Sequence, residues 1–178
     1  MATPTDGPDA VLYDGKFLRY VRRGHWEFVQ RKKVSGIVGI VAVTAERKLL
    51  LVEQFRVPVN RNVIEIPAGL AGDIAGQEHE ALELAAAREL VEETGYEGKK
   101  FTLLTAGAVS AGLTDEFITL FRAEELTKVN AGGGDGTENI TVHEIPLSDV
   151  RRWLEDRRRG GTMIDLKVYS GLAFCTER

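Results

Sequence analysis

The stretch over residues 78–94 constrains the fold more than any other part of the sequence, because it is the clearest helix in the chain. It is rich in Ala, Leu and Glu, which are strong helix formers, and Gly95 supplies a C-terminal stop. Short apolar runs precede and follow it. They occupy residues 37–43, 49–55, 63–66, 101–109, 117–122 and 140–145. Strands arranged around one long helix predict an α/β sandwich with a mixed sheet.

The apolar runs also predict how some strands pair. Residues 37–43 are almost entirely apolar, which is typical of a strand buried on both faces. A polar turn follows, so we expect residues 49–55 to be its hairpin partner. Residues 11–33 alternate between polar and apolar and predict one or two hairpin strands. Near the C-terminus, Ser148 and Thr162 are candidate N-caps for two more helices.

Composition limits the function classes that the chain can belong to. Its 178 residues suit one domain, or one domain with a small appendage. A formal net charge of −4 disfavours a general nucleic-acid binder. A single cysteine, Cys175, excludes an internal disulfide and a four-cysteine zinc site. Since no apolar run approaches the roughly 20 residues of a membrane span, and no signal peptide is present, we expect a soluble cytoplasmic protein.

Three carboxylates gather on one face of the long helix, close to its C-terminus. At about 100° per residue, Glu89, Glu92 and Glu93 fall within roughly a third of a turn of one another. The helix dipole disfavours negative charge there, and like charges at these spacings repel. A hard divalent cation would offset both effects; the alternative is a solvated acidic face. We expect the far side of the helix to pack on a sheet, through Leu84, Ala87, Leu90 and Val91.

The same helix resembles the signature of the Nudix hydrolases. That signature is a Glu, seven residues of any kind, and then Arg-Glu-U-x-Glu-Glu-x-Gly-U, with U an apolar residue. The residues that stand at the expected spacing are Glu80, Arg88, Glu89, Leu90, Glu92, Glu93, Gly95 and Tyr96. The leading Gly of the signature would fall on Ile74, whereas Gly69 fits its role five residues earlier. We interpret the difference as a lengthened loop over residues 71–77.

The resemblance implies a fold, a reaction and a metal. The fold is a Nudix-type α/β/α sandwich, and the reaction is hydrolysis of a nucleoside diphosphate linked to another group. Glu89 and Glu93 would bind Mg²⁺, with Mn²⁺ as a substitute, and Glu92 would be a further or water-mediated ligand. Arg88 would orient the carboxylates, and Glu80 would be mainly structural. Such ions neutralise the diphosphate and lower the pKa of the attacking water.

Segments outside the signature resemble the branch of this family that cleaves ADP-ribose and other nucleoside diphosphate sugars. Residues 65–70 resemble the segment in which that branch binds a metal through a backbone carbonyl. The resemblance makes Ala68 a backbone metal ligand and places Leu70 against the substrate. The alternative is an ordinary strand end.

Further residues resemble the substrate contacts of that branch. Trp26, Glu27 and Arg31 match the positions that hold the nucleobase and a phosphate. Trp26 offers a stacking plane, and Glu27 can accept a hydrogen bond from an exocyclic amine. Arg56 resembles the phosphate clamp, since a guanidinium suits paired phosphate oxygens. The alternatives are a core tryptophan and solvated arginines, and residues 110–116 are a candidate wall of the sugar pocket.

A glycine-rich loop precedes the last predicted strand. It lacks the Lys-Ser/Thr that a phosphate-binding P-loop requires, so that function is excluded. In the nucleoside diphosphate sugar branch a mobile loop at this place carries the glutamate that activates water. By resemblance, Glu138 is the general base, with Asp135 as the alternative.

The resemblance also implies an assembly and a substrate class. In this branch the N-terminal strands typically cross to a partner, so we expect a symmetric homodimer. Residues 1–35 would form the dimerisation and base-binding element, and residues 36–178 the Nudix domain. We expect hydrolysis of ADP-ribose or a related nucleoside diphosphate sugar to a nucleoside monophosphate and a sugar phosphate. The alternatives are another nucleoside diphosphate, such as a GDP-sugar or a dinucleoside polyphosphate, and a non-catalytic ligand-sensing module.

Overall fold

The N-terminal part of the chain forms an antiparallel sheet of its own. The computed structural model describes residues 8–134 and 139–175. The sheet contains β1 (Ala10–Asp14), β2 (Leu18–Arg23) and β3 (Trp26–Arg31), in the order β1-β2-β3. This is one strand more than the sequence predicted, because Gly24, at φ 61°, permits a very tight turn between β2 and β3. The division of the chain into two domains near residue 35 stays a prediction.

Two four-stranded sheets form the centre of the molecule. The first contains, in spatial order, β7 (Ala68–Ala71), β4 (Gly36–Ala42), β10 (Phe117–Glu124) and β9 (Lys100–Ala108). The second contains β12 (Thr141–Pro146), β5 (Lys48–Arg56), β6 (Arg61–Glu65) and β13 (Met163–Ile164). In each sheet one pair of strands is parallel and the others are antiparallel, so the predicted mixed pairing is confirmed. A short ladder joins β8 (Tyr96–Glu97) to β11 (Thr127–Lys128), and a 3₁₀ turn spans Val57–Val59.

The expected hairpin between β4 and β5 is wrong. Apart from a single bridge between Val43 and Leu49, the two strands lie in different sheets. The chain reverses through a turn in which Thr44 N–H donates to the Lys48 carbonyl at 2.8 Å, with Arg47 in the left-handed region at φ 63°. A strand that is apolar on both faces needs a packed layer on each side. Separate sheets provide those layers for both strands.

Three helices cover the sheets: α1 (Leu82–Thr94), α2 (Val150–Arg159) and α3 (Leu166–Cys175). Helix α1 ends as predicted, at Gly95, whose φ of 73° is left-handed, but it begins four residues later than the sequence suggested. The two predicted caps are wrong. Asp149 precedes α2 without a side-chain cap, and Asp165 Oδ1 accepts a hydrogen bond from the Lys167 N–H at the start of α3.

Strand β4 divides the hydrophobic core into two layers. On one face Val38 and Ile40 pack in the same cluster as Leu90 of α1. On the other face Val41 packs with Val168 of α3 and with Leu154 of α2. The predicted α/β/α layering is therefore confirmed. Within the described residues, no helix is long and apolar enough to cross a membrane.

The face of α1 that packs on the sheet differs from the predicted one at Leu84. That side chain is 64% exposed, whereas Ala85, Ala86 and Leu90 are fully buried. The buried stripe follows Leu90 at spacings of three and four residues and includes Glu93. Leu84 lies about half a turn away from this stripe, so the prediction was wrong for that residue.

We expect Leu90→Ala to destabilise the protein and Leu84→Ala to leave its stability nearly unchanged. Truncation of the buried leucine leaves a cavity between α1 and β4, which costs about 2–5 kcal/mol of unfolding free energy. The exposed leucine of the same helix is the matched control, with an expected change within about 0.5 kcal/mol. Urea denaturation of both variants measures the difference, and equal effects would contradict the observed face.

Candidate active site

A cleft of about 500 Å³ lies where the two central sheets, α1, α3 and the end of β3 meet. Charged side chains dominate its wall, with six carboxylates and four cations. They are Glu65, Asp73, Glu89, Glu92, Glu93 and Glu116, and Arg31, Arg56, Arg88 and Lys167. The wall is therefore negative overall, although the cations give it the means to hold an anion.

Arg88 connects the carboxylates in this cleft. Its Nε and Nη2 donate to the two oxygens of Glu80, each at 3.1 Å, and its Nη1 donates to Glu89 at 2.8 Å and to Glu92 at 3.2 Å. Nη2 also donates to the Leu70 carbonyl at 2.9 Å. The hydrogen bonds to Glu80 are the main reason why the pKa of Arg88 is raised, and they lower the pKa of Glu80. This geometry matches the orienting position expected for Arg88.

Glu89 lies in the least favourable environment for a charge. Burial, together with the neighbouring charges of Glu92 and Asp73, raises its pKa to about 7 against the opposing effect of Arg88. The carboxylate also lies directly on Gly69. A Cβ added at Gly69 would stand 1.9 Å from Glu89 Cδ, so a larger residue there would force this carboxylate to move.

The four residues expected to bind a metal all line the same cleft. Ala68 N–H donates to Oε2 of the buried Glu93 at 3.0 Å, and Glu89 and Glu92 lie along the same wall. Within residues 8–134 and 139–175, however, no three His, Cys, Asp or Glu side chains are arranged as a ready metal site. Arg88 contacts two of the three helix carboxylates in this arrangement. The all-oxygen donors and the excess of negative charge nevertheless fit a hard divalent cation.

The glycine-rich loop starts against the end of α1. Gly133 N–H donates to the Glu93 carbonyl at 2.9 Å, and Gly134 N–H donates to the Glu92 carbonyl at 3.0 Å. These bonds satisfy two carbonyls that the helix itself leaves without partners. Both candidate bases, Glu138 and Asp135, lie outside the described residues. The segment before them is thus attached to the helix that carries the carboxylates.

Two predicted phosphate-binding arginines reach the cleft from different sheets. Arg31, at the end of β3, donates to Glu116 Oε1 at 2.5 Å, and Arg56, at the end of β5, donates to Glu65 Oε2 at 2.6 Å. Leu70 also lines the cleft. The sequence therefore selected residues that the fold brings together from widely separated positions.

Trp26 and Glu27 are not part of this cleft within one chain. They lie at the opposite end of β3 from Arg31, and Trp26 is 59% exposed, so the alternative of a core tryptophan is wrong. Glu27 accepts a hydrogen bond from the Tyr20 hydroxyl.

Sequence reasoning missed several residues of the cleft wall. The sequence did not indicate Lys167 as a cleft residue, because one lysine in the first turn of an ordinary helix forms no local pattern. Asp73 and Ile74 lie in the lengthened loop, where Gly72 and Gly76 adopt left-handed φ values of 75° and 86°. Glu65 and Glu116 lie in two segments that the sequence indicates as part of the site, but the sequence predicts no role for either residue.

Comparison with known proteins identifies the family. Residues 35–163 match the model of the NUDIX domain. The chain belongs to the Nudix family. The resemblance seen in the signature helix is confirmed, and this Nudix helix is α1, with its carboxylates in the cleft.

The Nudix chain is similar in sequence to two named pyrophosphatases. It is 41% identical over 126 residues to ADP-ribose pyrophosphatase from Bacillus subtilis (strain 168), covering 70% of this chain and 65% of that protein. The matched part thus spans slightly less than two thirds of the Bacillus protein. This chain is also 30% identical over 166 residues to GDP-mannose pyrophosphatase from Escherichia coli (strain K12), covering 88% of this chain and 81% of that protein.

A solved structure supports the fold. The crystal structure of an ADP compounds hydrolase matches this chain with a TM-score of 0.66 at 19% identity, covering 87% of this chain and 84% of that one. At this identity the similarity shows the α/β/α architecture alone.

Proposed function

We propose that this Nudix protein hydrolyses the pyrophosphate bond of ADP-ribose or a related nucleoside diphosphate sugar, giving a nucleoside monophosphate and a sugar phosphate. The observation that carries the proposal is the cleft, in which the signature carboxylates of α1 face Arg31 and Arg56. Carboxylates can hold divalent cations, and arginines bind phosphate oxygens. The names of the Bacillus and Escherichia relatives support the same substrate class.

Glu89, Glu92, Glu93 and the Ala68 carbonyl would hold Mg²⁺, or Mn²⁺ in its place. The ion would neutralise the diphosphate and lower the pKa of the attacking water. The residues of the chain provide the arrangement around it. Arg88 orients Glu89 and Glu92, and the close approach of Gly69 allows Glu89 to lie against β7. Because the wall is negative without a metal, a polyanionic substrate and a dication should bind together.

The diphosphate would lie between the arginines, with Leu70 against the substrate. Arg31 and Arg56 each have a carboxylate partner, which holds the guanidinium in position before the substrate arrives. Glu138 would accept the proton of the attacking water, with Asp135 as the alternative. A carboxylate that binds a cation is a weak base, so a group outside the α1 cluster is better suited to this step.

The nucleobase of the substrate would be held by a second copy of the chain. Trp26 and Glu27 do not line the cleft of their own chain, and Trp26 belongs to an exposed apolar surface of the kind that marks an interaction site. Other large apolar side chains of the same N-terminal segment are also exposed, namely Val11, Leu12, Tyr13, Phe17, Leu18 and Tyr20. A symmetric homodimer would cover these six side chains and place Trp26 and Glu27 beside the partner's cleft, where the indole stays open to the substrate. The cytoplasmic location stays a prediction.

A GDP-sugar is the second candidate substrate, because the Escherichia relative of that name matches the greater part of this chain. A panel of nucleoside diphosphate sugars incubated with Mg²⁺, with the products separated by chromatography, distinguishes the candidates. Release of AMP and ribose phosphate from ADP-ribose supports the proposal. Cleavage of GDP-mannose alone would favour the second candidate, and no cleavage with measurable binding would favour a ligand-sensing module.

We expect hydrolysis to require a divalent cation and to stop in chelator. Glu93→Gln keeps the size of the side chain but removes a charge from the cluster, so turnover should fall by orders of magnitude. The free energy of unfolding should stay equal or rise, because like-charge repulsion at the end of α1 decreases. Glu83→Gln, on the exposed face of the same helix, is the control. Near-normal hydrolysis by Glu93→Gln at low Mg²⁺ would refute the metal assignment.

We expect Trp26→Ala to raise KM while kcat changes little. Stacking on the base is present in the ground state and in the transition state alike, so its loss weakens binding without slowing the chemical step. Because Trp26 is exposed, the unfolding free energy should change by less than about 0.5 kcal/mol. Trp26→Phe keeps an aromatic plane and should restore much of the affinity. An unchanged KM in both variants would contradict the base-binding role.

We expect Glu138→Gln to reduce kcat by roughly 10²–10⁴, the range for loss of a general base, with substrate and metal binding kept. Asp135→Asn is the matched control and should have a much smaller effect. A large loss from Asp135→Asn alone would transfer the role to that residue. If neither change matters, the water is activated by the α1 carboxylates, with Glu92 as the first residue to test.

A further inference from the structure

Glu65 is a buried carboxylate whose two oxygens face two different cations. Its side chain is only 6% exposed. Arg56 Nε lies 2.6 Å from Oε2, and Lys167 Nζ lies 3.8 Å from Oε1. Arg56 belongs to β5 and Lys167 to α3, so Glu65, on the strand between them, holds together side chains that are far apart in sequence.

Both cations line the cleft, as does Glu65. Lys167 is also paired with Asp165, which follows β13 and whose N–H donates to the Ile64 carbonyl at 2.9 Å. Asp165 is not part of the cleft wall. Two carboxylate partners restrict a side chain that is otherwise flexible, so little rotamer freedom remains for Lys167 to lose when an anion binds. A single arginine would have been enough to compensate Glu65.

We propose that Lys167 is a third phosphate-binding cation beside Arg31 and Arg56, and that Glu65 positions Arg56 and Lys167 together. This inference rests on the proposed function and adds a residue that the signature and its neighbouring segments do not contain. Arg56 offers a planar fork and Lys167 a point charge. Because both cations lie against the same carboxylate, they can contact neighbouring oxygens of one diphosphate.

The first test is Lys167→Gln, assayed with ADP-ribose and Mg²⁺. Loss of a charge-assisted hydrogen bond to phosphate should raise KM roughly 10- to 100-fold, with kcat changed much less. The dependence of KM on KCl should become shallower, because one cation fewer faces the substrate. Lys167→Arg keeps the charge and should recover part of the affinity. Lys100→Gln, at an exposed lysine outside the cleft, is the control and should match the wild type.

The second test separates positioning from direct contact. Glu65→Gln removes the charge that holds both cations, so KM should rise through loss of their positioning. In the double variant Glu65→Gln/Lys167→Gln, the increase in KM should be smaller than the product of the single increases, since both changes disturb one unit. Thermal melts of each variant report any purely structural effect. A lower melting temperature with an unchanged KM for Lys167→Gln would overturn the proposal.

A failure of the inference about Lys167 can be distinguished from a failure of the proposed function. If the wild type hydrolyses nucleoside diphosphate sugars and Lys167→Gln has the wild-type KM, the inference alone is wrong. If the wild type hydrolyses none of them, calorimetric titration with ADP and Mg²⁺ still decides. Weaker binding of ADP by Lys167→Gln, with normal binding by Lys100→Gln, supports the phosphate contact. Equal binding by all three proteins overturns it.

Discussion

The contacts of the Arg88 guanidinium determine the shape of the cleft. One side chain joins Glu80 before α1, the carboxylates on α1 and the carbonyl of Leu70 on β7. Without that charge, several acidic groups would lie close together at the negative end of a helix dipole, in surroundings that already raise the pKa of Glu89 to about 7. The arginine therefore makes the acidic cluster compatible with a folded chain, and the cluster offers oxygen atoms of the kind that hard divalent cations prefer.

The features predictable from sequence were those with a local pattern. The α1 segment combines helix-forming composition, a glycine stop and a fixed spacing of Arg88 and the glutamates, so its end and its acidic face could be predicted. Arg31, Arg56 and Ala68 were predicted to share one site because each stands in a short segment that resembles the family, and all three line the cleft. The order of apolar runs around one long helix predicted an α/β sandwich with a mixed sheet, whereas the α/β/α layering was implied by the resemblance to the Nudix family.

Features that depend on the path of the chain could not be predicted in the same way. An apolar strand such as β4 can pair with any neighbour that has a complementary edge. The sequence therefore did not show that β5 would pair within the second sheet. Leu84 was predicted on the wrong face of α1 because Glu93 belongs to the buried stripe. A prediction that assigns charged residues to the exposed face fails where a carboxylate is buried. Lys167 reaches the cleft only because β13 pairs with β6, and that pairing has no signature in either strand.

The close packing between the glycine-rich loop and the end of α1 restricts how this region can diverge among relatives. A Cβ at Gly132 would lie 2.4 Å from the Thr94 carbonyl carbon, and a Cβ at Gly95 would lie 2.2 Å from the Asn130 oxygen. Each glycine thus leaves the space that the other segment occupies, and Gly133 and Gly134 are hydrogen-bonded to the same helix end. Insertions and deletions in this loop should therefore accumulate after Gly134 among relatives, whereas the segment of residues 130–133 should keep a constant length.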